Sequence, residues 1–259
     1  MLDVAPPALF DLAAEAGYHN VGIRIHPAVP GAVSYPLSRS TLIEWRRRMA
    51  DAGVGVHDVE FIPLTPDVHV QEHASMLALA GELGAKRLNV SGDDPVLDRL
   101  VERFGTLCDL AAAAAIGVDL EFMRFRIVGT LQQALDVVTR AARPNGRLLI
   151  DVLHHFRSGG TADMLANVPA GALGSLQLCD AQREDPTDAG IVSEARDGRL
   201  FPGEGALPLG AFLDALPGGI PVGVEVPAAR THPGLTAKQR ATAACTATRA
   251  LLAGWRPVR

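Results

Sequence analysis

Cysteine is scarce. Cys108, Cys179 and Cys245 are scattered through 259 residues and odd in number, which excludes a disulfide framework and suits a reducing compartment. No apolar run approaches transmembrane length, and no basic, apolar and small-residue leader opens the chain, so neither a membrane span nor export is expected and the cytoplasm is the default location. Positive charge is in deficit, with 24 Lys and Arg against 29 Asp and Glu and a net charge of −5. That balance argues against a nucleic-acid groove or an anionic membrane surface as partner. No phosphate-cradling P-loop and no dinucleotide fingerprint is found. No linker divides the chain, so residues 1–259 are expected to form one domain.

What is present is apolar sequence in a regular alternation. At 48% hydrophobic residues the chain can bury a substantial core. Pro6-Pro7 opens a helix that Gly17 stops. Val21–Ile25 reads as a strand, Thr41–Ala52 as a helix with a capping box from Thr41 to Glu44, and Val54–Phe61 as a strand carrying His57, Asp58 and Glu60. Further strands are expected at 86–91, 117–122, 173–178 and 220–226, with helices at about 68–83, 129–142, 161–167, 209–216 and 236–253. Asp94-Pro95 starts another helix, whose apolar spacing runs from Leu97 to Ala111. The stretch Gly146-Arg-Leu-Leu-Ile-Asp-Val-Leu-His-His155 reads as an interior strand that delivers an acid and two histidines at its end. Seven strands are legible, and an eighth is implied at Met1–Val4, short or truncated. Alternation of this kind, at this length, is expected to give an α/β (β/α)8 TIM barrel.

In such a barrel the strand ends converge on one mouth. Glu121, Asp151, Gln177 and Glu225 stand near the ends of four consecutive strands. Three carboxylates brought together repel one another, and a divalent cation is the simplest way to hold them. Three carboxylates and an amide oxygen form an oxygen-only set, which favours Mn²⁺ or Mg²⁺ over Zn²⁺. Taken singly, each acid is equally well read as a helix cap or a solvated loop group.

The segments Val21-Gly-Ile-Arg-Ile25, Val118-Asp-Leu-Glu-Phe122 and Gly223-Val-Glu-Val-Pro227 resemble the sugar phosphate isomerase/epimerase group of the xylose-isomerase-like TIM-barrel superfamily, and the resemblance covers nearly the full length. In its ketose 3-epimerases the metal ligands are Glu, Asp, His and Glu on successive strand ends, which the resemblance places on Glu121, Asp151, Gln177 and Glu225. It implies substrate binding by His154, three residues after Asp151, and by Arg183, six after Gln177. Gln177 departs from the usual histidine. An amide oxygen is neutral, as imidazole is, but cannot act as a base, and dehydratases acting on 3-dehydroshikimate resemble this chain in using Gln there.

The resemblance therefore implies a metal-dependent sugar or sugar phosphate isomerase or epimerase. Glu121 or Glu225 would take a proton next to a carbonyl to give a metal-stabilised enediolate, and the other would return it. The alternative is a dehydratase, a carbon–oxygen lyase; a non-catalytic sugar-binding barrel is a third reading. The expected partner is a small polyol, keto-sugar or cyclic keto-acid. A homo-oligomer is left open, since barrel helices in this group often pair. An endonuclease-IV-type repair enzyme shares the fold but needs histidines this chain lacks.

Around the mouth, Glu60 is placed to reach substrate hydroxyls or to form a salt bridge. Arg24, Asn89 and Ser91 are further candidate contacts. His57 is expected on the outer surface and His155 in a structural role. Arg196 and Arg199, within the long irregular stretch 180–206, read first as solvated loop charges, with the holding of a phosphate or carboxylate as the alternative; that stretch reads as a lid. Pro202-Gly-Glu-Gly205 reads first as a turn, with Glu204 toward the site as the alternative.

Overall fold

A computed structural model describes residues 1–255. Its centre is one parallel sheet with strands in chain order: β1 (Asn20–Arg24), β2 (Gly55–Leu64), β3 (Arg87–Gly92), β4 (Gly117–Glu121), β5 (Gly146–Asp151), β6 (Leu173–Leu178) and β7 (Val222–Val224). Parallel pairing in strict sequence order, with a crossover on one side between each pair, is the construction rule of a TIM barrel. The strands are apolar on the face that meets the helices, where Leu88, Val90, Val118, Leu120, Leu148, Ile150 and Leu176 are fully buried.

The outer layer is α1 (Pro6–Ala16), α2 (Arg39–Ala52), α3 (Ala74–Leu83), α4 (Leu97–Ala113), α5 (Leu131–Ala141), the short α6 (Val152–Arg157) and α7 (Ala162–Ala166), α8 (Asp188–Ser193), α9 (Leu209–Asp214) and α10 (Ala237–Gly254). Capping sets several boundaries. Ser38 and Thr41 exchange the capping-box bonds of α2, so that box lies three residues before the Thr41–Glu44 pair the sequence suggests. Thr130 and Gln133 cap α5, and Thr236 and Gln239 cap α10. Asp94 sits ahead of the first turn of α4, where it accepts Val96 N at 2.9 Å and pairs with Arg99 and Arg103.

The barrel expected from the alternation is present. Met1–Val4, however, forms a turn closed by Val4 N to Met1 O (3.2 Å), and the sheet has seven strands among the described residues. The ring of helices closes where the sheet does not. Helix α1 packs on α10, and the junction is tied by Tyr18 Oη to Ala241 O (3.3 Å), Lys238–Glu15 (3.0 Å) and Arg240–Asp3 (2.6 Å).

Inside the barrel many of the inward positions are polar. His57, expected on the outer surface, instead bonds Ser175 Oγ at 3.1 Å. Ser175 in turn donates to Asp119 (2.8 Å), which pairs with Arg87. One layer up, Asn89 donates to Asp58 at 3.1 Å. Gly22 faces Asp58, whose carboxylate would lie 2.5 Å from any Cβ built there. Because side chains alternate along a strand, Asp119 and Glu121 both face inward on β4, one above the other.

Candidate metal centre

Three of the four expected donors meet at the mouth. Ligand atoms of Glu121, Asp151 and Glu225 lie within 4.8 Å of one another. Glu121 ends β4, Asp151 ends β5, and Glu225 follows β7, its amide bonded to Leu178 O at 3.1 Å. Gln177 stands in register with Asp151 on one side and Gly223 on the other. Its Oε1 is buried and finds no hydrogen-bond partner among the described residues. An orphaned buried acceptor costs free energy, and beside three carboxylates a cation would satisfy it. The donor set therefore fits a divalent ion with hard oxygen ligands.

The strand expected to run to His155 stops at Asp151. Asp151 Oδ1 accepts the His154 amide at 3.0 Å and so caps α6, which carries both histidines. His154 turns into the site: Nε2 lies 3.8 Å from Glu121 Oε1 and 3.2 Å from a guanidinium nitrogen of Arg199. Since that nitrogen can only donate, Nε2 accepts and the imidazole is neutral with its proton on Nδ1. Burial agrees, holding His154 down to about 4. His155 bonds Thr161 O (3.0 Å) and packs among Phe122, Phe156 and Phe212, in the structural role expected of it.

Arg199 is the residue the sequence reading missed. Treated there as a solvated loop charge, its side chain is only 3% exposed. It reaches Asp151 Oδ2 at 2.6 Å and Glu225 Oε2 at 3.1 Å. Arg183, assigned to substrate by its offset from Gln177, is exposed on the outer loop and is not brought to the carboxylates. The reason lies in the path of the chain after β6. Asp180 turns inward and accepts the amides of Ala181, Gly203 and Leu207 (2.9–3.0 Å), while Asp180 and Leu200 pair backbone to backbone. Residues 182–185 are thrown outward and Arg199 is brought in. The one available cue was Arg199's position three residues before the Pro202-Gly-Glu-Gly205 turn.

The electrostatics follow from this layout. Burial, then the charges of Glu225 and Asp151, push Glu121 well above the usual carboxylate range. Burial pushes Asp151 the same way, but the charge and hydrogen bond of Arg199 and the hydrogen bond from the His154 amide outweigh it and hold Asp151 low. Glu60 pairs with Arg24 at 3.0 Å beside the site, so the salt bridge the sequence allowed is formed. Ser91 donates to Asp93. Glu204 pairs with His232 (3.1 Å) and accepts Phe201 N, away from the cluster. Arg196 is exposed, as expected.

A family model described as xylose isomerase-like TIM barrel matches residues 10–248. A stretch of 130 residues, 48% of this chain, is 32% identical to a 3-dehydroshikimate dehydratase of Pseudomonas aeruginosa but spans 20% of that protein. A stretch of 112 residues, 42% of this chain, is 29% identical to an inosose isomerase of Bacillus velezensis and spans 38% of it. Among solved structures, the IolI protein with a bound zinc atom superposes with a TM-score of 0.79 at 20% identity, over 97% of this chain and 94% of that one.

Proposed function

Since the chain belongs to the xylose isomerase-like TIM barrel family, we propose that it is a divalent-metal-dependent isomerase or epimerase of a small polyol or keto-sugar. The observation that carries this reading is the meeting of Glu121, Asp151 and Glu225 at the barrel mouth. These three and Gln177 would hold the ion, with Mn²⁺ or Mg²⁺ preferred by an all-oxygen set. When bound, the ion supplies Lewis-acid polarisation of adjacent substrate oxygens.

The chain's own residues handle the proton. Glu121 ends β4 inside the cluster, with His154 Nε2 at 3.8 Å, and is the first carboxylate placed to act as a general acid–base. Glu225, within 4.8 Å of Glu121 and Asp151 by its ligand atom, is the second carboxylate. One removes the proton next to the carbonyl; the other, entering protonated, gives its own proton to the opposite face for epimerisation, whereas return of a proton to the neighbouring carbon, with a proton moved between the two oxygens, gives isomerisation. His154, neutral, orients a substrate hydroxyl. Glu60 and Arg24 form the adjoining wall, where a hydroxyl is within reach of either.

A second reading is a dehydratase. Gln177 and the partial similarity to a 3-dehydroshikimate dehydratase favour it, and the same first proton abstraction serves it. The two readings separate in D₂O. Isomerase or epimerase turnover of a cyclic or open-chain keto-sugar leaves deuterium at carbon. Elimination from 3-dehydroshikimate instead gives a conjugated, ultraviolet-absorbing product. Loss of neither proton nor hydroxyl from any polyol, keto-sugar or cyclic keto-acid would overturn both.

A further inference from the structure

We propose that Arg199 and a divalent ion compete for the same carboxylate oxygens, so that loading the site displaces the segment that carries Arg199. This rests on the metal-binding reading above and adds a regulation to it. Both oxygens of Asp151 already accept a bond: Oδ1 takes the His154 amide and Oδ2 takes the charged Arg199 Nη1 at 2.6 Å. The second guanidinium nitrogen reaches Glu225 Oε2 and His154 Nε2. One planar fork therefore spans two of the four expected ligands, as a guanidinium suits. A divalent ion ligated by Asp151 and Glu225 would stand within a few ångströms of that positive charge in a site shielded from water, where like charges repel strongly.

The carrier of Arg199 is a short non-strand segment. It follows a single π-type turn, Glu194–Gly198, and such turns are frequent at functional sites. The turn lets Arg199 Nε reach back to Ala195 O at 2.8 Å, so the guanidinium is held from its own segment. The segment is tied to the barrel by Arg157–Glu194 (2.8 Å), by the exposed pairs Arg124–Asp188 (2.7 Å) and Arg230–Asp197 (3.1 Å), by the buried Ile191 and Ala195, by Thr231 Oγ1 donating to Arg199 O (3.1 Å) and by the Asp180–Leu200 bridge at its end. A pair exchanged at Asp151 would loosen the Arg199 end of this stretch, which no strand or long helix holds.

The test is a Mn²⁺ titration of the wild-type chain, Arg199→Gln and Arg199→Lys by calorimetry. It is joined to hydrogen exchange of residues 188–200 in the wild type with and without Mn²⁺. Competition predicts that Arg199→Gln binds Mn²⁺ at least about 10-fold more tightly than wild type, that Arg199→Lys lies between, and that Mn²⁺ speeds exchange of 188–200. Equal or weaker binding by a folded Arg199→Gln overturns the proposal and makes Arg199 a fixed positioning residue for the ligands. If that variant does not fold, unchanged or slowed exchange in the wild type overturns it instead. Binding of Mn²⁺ by neither chain overturns the metal reading itself, which is a distinguishable result.

Discussion

Glu121 and Asp151 belong to one cluster yet are driven in opposite directions, because Asp151 alone accepts hydrogen bonds from Arg199 and from the His154 amide. Asp151 faces Arg199 directly and stays ionised; Glu121 has burial and two neighbouring carboxylates against it. Glu121 is therefore the group suited to trade a proton. Glu121→Gln is expected to lower kcat by about 100- to 10,000-fold, the usual worth of a general acid–base, and to reduce metal affinity; turnover and metal titration on the same preparation check both. Gln177→His should keep a metal site while shifting its preference toward zinc, because imidazole is the softer donor, and metal analysis after dialysis against mixed ions reads this directly. The three carboxylates that meet at the mouth were legible because strand periodicity and barrel geometry fix where strand ends converge. Arg199 was not, because its place depends on a loop path that no periodicity encodes. Counting six residues from Gln177 lands on Arg183, which the turn at Asp180 sends into solvent.

At the scale of elements, the β5–α6 junction and the stretch after β6 do most to shape the mouth. The same Asp151 carboxylate that faces the site also caps α6, so its position is fixed by helix geometry as well as by Arg199. The Asp180 latch depends on close approach. A Cβ at Gly205 would lie 2.2 Å from Ala181 O and 2.4 Å from Asp180 Oδ1. Gly205→Ala is thus expected to destabilise by about 1–3 kcal/mol and to loosen residues 180–206 before the barrel, an order that urea unfolding paired with limited proteolysis would reveal. A uniform loss of stability with no early cleavage in that stretch would count against the latch. Within the supposed irregular stretch the structure has α8 and a π-type turn, whose short lengths leave too few residues for a periodic signal.

The whole molecule is a barrel whose helices meet at α1 and α10 while its interior carries charge. The seven strands were readable as apolar runs; the polar interior was not, since alternation shows which residues share a face but not that the inner face is wet or ionised. Burial, then the charges of Glu60, Asp119 and Glu225, raise Asp58 to about 8. Its folded pKa lies above the unfolded value near 3.9, so protonated Asp58 stabilises the fold fully below about pH 4, and that contribution is lost as pH rises through about 8. His154 works the other way: held down to about 4, it costs stability as pH falls below about 6.5. Between about pH 6.5 and 8 the Asp58 slope is expected alone of these two, at no more than about 1.4 kcal/mol per pH unit. Asp58→Asn should flatten it, as denaturant unfolding at several pH values would show.

The central claim is that this mouth holds one divalent ion through Glu121, Asp151, Gln177 and Glu225, and calorimetric titration with Mn²⁺ tests it most directly. The account predicts one ion bound per wild-type chain and no binding in Asp151→Asn. No saturable binding by the wild-type chain, or the same affinity in the variant, would contradict it.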